Sequence, residues 1–172
     1  MPQISSLTLA LLAALSSGAA AEPVRVALSD KRWALEADLG NADVRENKAI
    51  EDGSAAKLLI TRERDGLTLS VYLEKMPELK NAKACRDYYW KRKRQDTEAK
   101  TEVKLSESHG AARVAYTVAD FDGMRIVQRH VHAYLWKDAV CADAHLIMVG
   151  YKPSDQKALE TVLKSLKFVK IP

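Results

Sequence analysis

Residues 124–149, MRIVQRHVHAYLWKDAVCADAHLIMV, contain two alternating runs separated by Lys137 and Asp138, and they predict a long β-hairpin. Side chains of period two divide between the faces of such a hairpin, so that one face is apolar throughout. That predicted core face consists of Val127, Val131, Ala133, Leu135, Val140, Ala142, Ala144, Leu146 and Met148. The sequence therefore indicates which side of the sheet is buried.

The other face of the hairpin collects histidines. With a two-residue turn at 137–138, His132 would face Asp143 and His130 would face His145. Imidazole and carboxylate groups bind Zn²⁺ or Cu²⁺, and facing imidazoles titrate as a coupled pair. These four residues predict a metal- or pH-responsive cluster. The alternative is a mixed polar face partly covered by a helix, in which Asp143 simply pairs with His132.

Outward from the hairpin, the chain gives further strand signals and two helix signals. The predicted strands lie in the extended stretch 24–39 and over 57–63, 67–75, 102–107 and 112–118. Residues 40–54 are polar and predicted to be irregular. Helices are expected over about 81–95 and 155–165, with Asn81 and Ser154 as N-caps. This order predicts an α+β fold: a largely antiparallel β-sheet with two main helices packed on it.

The first 21 residues favour export. An apolar and small-residue run over 7–15 is followed by Ala19, Ala20 and Ala21, which is typical of a cleaved signal peptide, although no Lys or Arg precedes the run. The run is shorter than the roughly 20 apolar residues that span a bilayer. We expect a signal peptide over 1–21, a single α+β domain over 22–172, no transmembrane anchor after cleavage, and a periplasmic or extracellular location.

Composition narrows the function. The net charge of +4 comes from basic residues spread along the chain, which does not favour nucleic acid as a partner. The sequence contains no Gly-x-Ser-x-Gly, no His-Glu-x-x-His and no glycine-rich phosphate loop. We therefore predict no cofactor and identify no catalytic residue.

The chain contains two cysteines, Cys85 and Cys141. In an oxidising compartment an even number favours pairing, and the closed loop of roughly 57 residues would contribute about 4 kcal/mol in the chain-entropy model. The alternative is two buried free thiols. If the bond forms, it ties the first helix to the histidine-bearing face of the hairpin.

The stretch YYWKRKR at residues 88–94 combines aromatic rings with a basic run. Such a segment could contact an anionic partner through charge and cation–π interactions. The alternative is a helix with core tyrosines whose basic end complements the helix dipole. The candidate surface residues are Trp90, Lys91, Arg92, Lys93 and Arg94.

Two resemblances follow from these segments. The hairpin after Gly123, and the closing helix that ends VLKSLKF at residues 162–168, resemble the PsbP-like fold superfamily. That superfamily includes the extrinsic P protein of photosystem II and a eukaryotic Ran-binding nuclear transport factor. The segment ACRDYYW at 84–90, with the later CADAH at 141–145, is similar to uncharacterised secreted bacterial proteins. The resemblances imply an α+β fold and partner binding, and they imply no catalytic residue.

Together these patterns predict an exported, non-enzymatic accessory or binding domain whose partner is another protein or an envelope component. The second hypothesis is a metal- or pH-responsive binding domain that uses the histidine face. The third is a hydrolase whose site assembles from distant residues.

Processing can be tested directly. Because the small-residue site ends at Ala21, the mature protein should begin at Glu22 and remain soluble. Intact-mass spectrometry of exported material checks this, and retention of Met1 would contradict it.

Overall fold

The computed structural model describes residues 22–29, 32–50, 52–96, 99–120 and 123–171, and the predicted signal peptide lies outside these ranges. The fold is α+β with antiparallel sheets and two helices, as the sequence predicts. The strands are β1 Val24–Ala27, β2 Trp33–Ala37, β3 Asp43–Ala49, β4 Ala55–Arg62, β5 Leu67–Lys75, β6 Lys100–Ser108, β7 Ala111–Val118, β8 Gln128–Lys137, β9 Val140–Val149 and β10 Lys167–Lys170. The helices are α1 Ala82–Lys93 and α2 Gln156–Ser165.

The strands form two sheets. Seven strands pair in the order β3-β4-β5-β9-β8-β7-β6, and three pair in the order β1-β2-β10. Every pairing is antiparallel. The long hairpin β8–β9 therefore lies inside the larger sheet, where both of its faces can be covered.

The main core lies on one face of the seven-stranded sheet. Aliphatic side chains of β4, β5, β8 and β9 pack there against the small sheet and α2. Leu69 and Leu146 on the sheet and Leu159 on α2 are fully buried. The predicted apolar face of the hairpin is confirmed except at Val127, which precedes β8 and is exposed.

The hairpin turn differs from the prediction by one residue. Asp138 and Ala139 occupy the turn with φ values of 46° and 62°, the backbone of a two-residue type I′ turn. Lys137 is the last residue of β8; its ammonium lies 4.3 Å from the centre of the Trp33 ring, and Asp138 accepts a hydrogen bond from the Trp33 indole. Moving the turn by one residue shifts every cross-strand partner by two, which preserves the faces and changes the partners.

The expectation of irregular structure over 40–54 was wrong, because β3 pairs along β4. An outer strand that is mostly exposed on both sides needs backbone pairing but no alternating apolar pattern, so the sequence carries no signal for it. The other outer strand, β6, is equally exposed. Both outer strands contain an irregularity, between Val44 and Glu46 in β3 and between Thr101 and Lys104 in β6.

One of the two predicted helix N-caps is confirmed and the other is wrong. Asn81 caps α1, since its side chain accepts from the Ala84 amide at 2.8 Å. Ser154 does not cap α2: a 3-10 turn over Pro153–Asp155 comes first, and the Asp155 carboxylate accepts from the Lys152 amide at 2.8 Å. Neither helix, nor any other in the described ranges, has the length and apolar content to cross a membrane.

Cys85 and Cys141 form a disulfide, which confirms the predicted pairing. The bond joins α1 to β9, with Cα atoms 5.9 Å apart, and both residues are fully buried. Helix α1 packs over β7, β8 and β9 on the face opposite the main core. The disulfide thus fixes the helix above the histidine-bearing face.

Replacing both cysteines with alanine should lower the free energy of unfolding by about 2–4 kcal/mol, because the unfolded chain loses a cross-link that closes a long loop. Urea unfolding of the oxidised protein and the double variant measures this difference. Two reactive thiols in the unreduced, denatured wild-type protein would contradict the cross-link.

Candidate functional site

A cavity of about 340 Å³ opens on the sheet face that carries α1. Strands β8 and β9 contribute His132, Asp143 and His145 to its lining, and β5 contributes Ser70 and Tyr72. Further lining comes from Glu46 on β3, Lys57 on β4 and Lys93 at the end of α1. Its volume lies at the small end of the range for ligand pockets. Three of the four residues of the predicted cluster therefore line one concave site.

His132 and Asp143 are in contact, although not as directly facing residues. Register pairs His132 with His145 and Asp143 with Tyr134, so the predicted facing of His132 and Asp143 was wrong. The two side chains meet diagonally, with His132 Nδ1 2.8 Å from Asp143 Oδ1. A carboxylate only accepts, which assigns the proton to Nδ1 of His132.

His130 and His145 are also in contact without facing each other directly. Register pairs His130 with Ile147, yet His130 Nδ1 lies 3.1 Å from His145 Nε2. The Gln128 side-chain oxygen lies 3.2 Å from His130 Nε2, so that nitrogen is the donor and Nδ1 is the acceptor. His145 Nε2 then donates to His130, and Nδ1 of His145 carries the lone pair. This arrangement requires Nδ1 of His130 to be unprotonated, so the His130 ring is neutral.

Aromatic rings surround the imidazoles. The rings of His132 and His145 stack with centroids 3.8 Å apart, and Tyr116 stacks on His130 at 4.8 Å. Tyr134 stacks on His132 at 5.7 Å. His130, His132, Tyr116 and Tyr134 are all buried beneath α1 and its neighbours. The cluster is thus a dry, ring-lined surface that becomes accessible at the cavity.

Burial controls the protonation of this surface. Burial lowers the pKa of His130 to about 4, and positive charge at His132 and on Lys93 and Lys100 acts in the same direction. Burial lowers the pKa of His145 well below its usual range, again with His132, His130 and Lys93 adding to the effect. Both rings are therefore neutral at pH 7 and present nitrogen lone pairs rather than cations.

The neighbouring phenols are neutral as well. Burial raises the pKa of Tyr89, and its hydroxyl donates to Glu74 Oε2 at 2.6 Å, which raises the pKa further. Burial also raises the pKa of Tyr134 and, with the charges of Glu74 and Asp52, that of Tyr72. Within the described part of the chain, Tyr134 Oη and His132 Nε2 are buried without a hydrogen-bond partner. The site offers donors and acceptors of hydrogen bonds beside the acidic and basic side chains of Glu46, Asp143, Lys57 and Lys93.

The metal hypothesis gains no support from the geometry. Across the described ranges, no group of three or more His, Cys, Asp or Glu residues is arranged to hold a metal ion. Asp143 is hydrogen-bonded to His132, and His130 to His145. Metal binding by this cluster stays a prediction.

The basic segment of α1 divides between several environments. Trp90 packs 5.7 Å from the Tyr116 ring, and the Arg92 guanidinium lies 4.3 Å from the centre of the Tyr88 ring. Lys93 lines the cavity and pairs with Asp96 at 3.0 Å. Lys91, Arg92 and Arg94 are exposed. An anionic-partner surface formed by this segment stays a prediction, and Lys93 connects it to the histidine site.

Sequence reasoning missed the wall of the cavity formed by β3, β4 and β5. The alternation of residues 67–75 puts Ser70 and Tyr72 on the polar face of β5, but no local pattern shows that β5 pairs with β9. That pairing sets Ser70 opposite His145 and Tyr72 opposite Asp143.

Comparisons with known proteins leave the family open. No protein-family model and no curated protein matches the chain. Among solved structures, LpqN, described as involved in cell envelope biogenesis of Mycobacterium tuberculosis, matches with a TM-score of 0.39 and 10% identity. The match covers 84% of this chain and 95% of that chain. So low a TM-score carries no argument here, and the PsbP-like resemblance is not confirmed.

The histidine site predicts acid sensitivity. Between the ordinary histidine pKa of 6.5 and the value of about 4 for His130, the unfolded chain binds protons that the folded chain does not. The free energy of unfolding should therefore fall as the pH falls through this window, by about 3 kcal/mol for His130 alone. Urea unfolding at pH 7 and pH 4.5 measures the loss.

The variant His130→Asn removes one titrating ring and should flatten this pH dependence. The control is His109→Gln, because His109 is exposed in the β6–β7 turn, and it should leave the dependence unchanged. Equal acid sensitivity in wild type and His130→Asn would contradict the assignment.

Proposed function

We propose that the protein is an exported, non-enzymatic binding domain that takes a segment of a protein or envelope component into the cavity bounded by β5, β9 and α1. The supporting observation is the cavity of about 340 Å³ lined by two imidazoles, a tyrosine, a serine and the aliphatic side chain of Leu59. Pockets that combine apolar walls with a few convergent polar groups are typical ligand sites. The signal peptide prediction and the disulfide support export, since disulfides persist in oxidising compartments.

The hydrogen bonds of the site favour binding over hydrolysis. A serine nucleophile needs a histidine base that is oriented by a third group. Ser70 lies opposite His145 across the strands, but Asp143 orients His132, and Nε2 of His145 contacts His130. The contacts that would complete a Ser-His-Asp chain are thus made between other residues.

The lining also defines the chemistry of the bound segment. Leu59 supplies apolar surface, while Nδ1 of His145 provides a lone pair. Lys57 and Lys93 are offset in part by Glu46 and Asp143. A segment with hydroxyl or amide donors beside a small apolar group complements this lining.

Binding by this site should depend on pH. Protonation of His145 at Nδ1 replaces a lone pair with a cation, and protonation of His130 at Nδ1 breaks the hydrogen bond that it accepts from His145. We therefore expect release of the bound segment under acidic conditions. This behaviour corresponds to the pH-responsive form of the second hypothesis, and elemental analysis of the purified protein tests its metal form.

Filling the cavity tests the proposal. The variant Ser70→Trp places an indole in the cavity, whereas Thr68→Trp adds the same ring two residues away on the same strand face, outside the lining. Photo-crosslinking from Lys57 in native envelope material, followed by mass spectrometry, should identify one partner with wild type and Thr68→Trp. Ser70→Trp should lose that crosslink at least tenfold, because its ring occupies the binding space.

The comparison requires that the free energy of unfolding of both variants, measured in urea, lies within about 1 kcal/mol of the wild-type value. A partner retained equally by Ser70→Trp and Thr68→Trp would contradict binding in the cavity. Loss of the crosslink at pH 4.5 with return at pH 7 would support the role of His145 and His130.

A further inference from the structure

A second cavity, of about 290 Å³, lies on the opposite face of the seven-stranded sheet, beside α2. Strand β6 contributes Lys104 and Ser106 to it, and β7 and β8 contribute Arg113 and Arg129. Helix α2 closes it with Gln156 and Glu160. Lys104, Ser106 and Gln156 are exposed, so the cavity borders solvent while Arg113 lies at its base.

Arg113 is the unusual residue of this cavity. Its side chain is only 6% exposed, and its Nη1 donates to Glu160 Oε2 at 3.1 Å. Within the described ranges, its Nε and Nη2 atoms are buried and have no hydrogen-bond partner. Nε and Nη2 form the side edge of the guanidinium, which binds carboxylate or phosphate through two parallel hydrogen bonds. The whole bidentate edge of a buried arginine is therefore unused by the protein.

The charge around this edge is positive. Arg129 is also largely buried; its Nη1 donates to Thr117 Oγ1 at 2.9 Å and lies 3.3 Å from Glu102, whose side chain is 72% exposed. Its Nε is buried without a partner in the described chain. Lys104 adds a third positive charge to the lining, against the single carboxylate of Glu160. Buried donors without partners are costly, and a bound anion would satisfy several of them at once.

We propose that this cavity binds an oxyanion, a carboxylate or phosphate group, through the Nε/Nη2 edge of Arg113. Arg129 and Lys104 supply the surrounding positive charge. Glu160 holds Nη1, and the Nε/Nη2 edge remains for the ligand, because it has no partner among the described residues. The site is separate from the histidine cavity, because the two lie on opposite faces of the same sheet.

Titrating the purified protein with sodium phosphate or sodium acetate at constant ionic strength tests the proposal. The Nε–H resonance of Arg113 should shift and saturate in ¹H–¹⁵N NMR spectra. Sedimentation with phosphatidylglycerol vesicles, against phosphatidylcholine vesicles, asks whether a lipid phosphate is the source of the anion. If the Arg113 shift saturates with free phosphate or acetate, the cavity is a site for small anions. If the protein binds phosphatidylglycerol vesicles but not the free anions, the ligand is a lipid headgroup.

Arg113→Lys keeps the charge and removes the bidentate edge, so it should weaken whichever binding is seen at least tenfold. Arg113→Gln should do the same, and Arg113→Lys decides the matter if the glutamine variant does not fold. Arg25→Gln is the control, because Arg25 also pairs with a glutamate, Glu36, outside the cavity. The proposal is overturned if no probe binds. It is also overturned if Arg113→Lys leaves the binding unchanged, or if Arg25→Gln weakens the binding as much as Arg113→Lys does.

Discussion

Burial of both faces of the β8–β9 hairpin is the constraint on which the rest of the structure depends. One face contributes Val131, Ala144 and Leu146 to the main core. The other carries imidazoles and tyrosines covered by α1, where hydrogen bonds join His130 to His145 and His132 to Asp143. The disulfide between Cys85 and Cys141 keeps that cover in place, so the histidines are held in a dry environment even though their side chains are polar.

The incomplete cover of the second face creates the site. Helix α1 lies over β7, β8 and β9, while β4 and β5 continue beyond it. The cavity forms at this boundary, where Lys93 at the end of the helix approaches Tyr72 and His145. Groups under the helix set the protonation of the cluster, and groups beyond it supply the surface that a ligand contacts. The strands under the helix therefore bury the titrating groups, and the neighbouring strands beyond it expose the surface that a ligand can reach.

The sequence predicted the sheet face on which each residue lies more accurately than its cross-strand partner. Alternation with period two decides whether a residue such as His132 points to the core or away from it, and a shift of two residues does not change that answer. The pairing itself depends on the turn, and contacts of Asp138 and Lys137 with the distant Trp33 accompany its one-residue displacement. Strand β3 and the cavity wall that includes Ser70 and Tyr72 were missed because they depend on strand order, which no local pattern encodes. The N-cap of α1 was predictable because its hydrogen bond is local, and the disulfide because two cysteines allow a single pairing.

Both outer strands of the large sheet carry features that hinder pairing with a strand of another molecule. An exposed strand edge is a template on which other chains can add, yet both β3 and β6 break their regular pairing with an irregularity. Charged side chains interrupt both edges: Arg45, Glu46 and Lys48 on β3, and Glu102 and Lys104 on β6. A second copy that added a strand along either edge would meet the irregular pairing and these charged side chains. Within the described residues the large sheet therefore ends at seven strands, and neighbouring copies of the chain are less prone to join edge to edge into fibres.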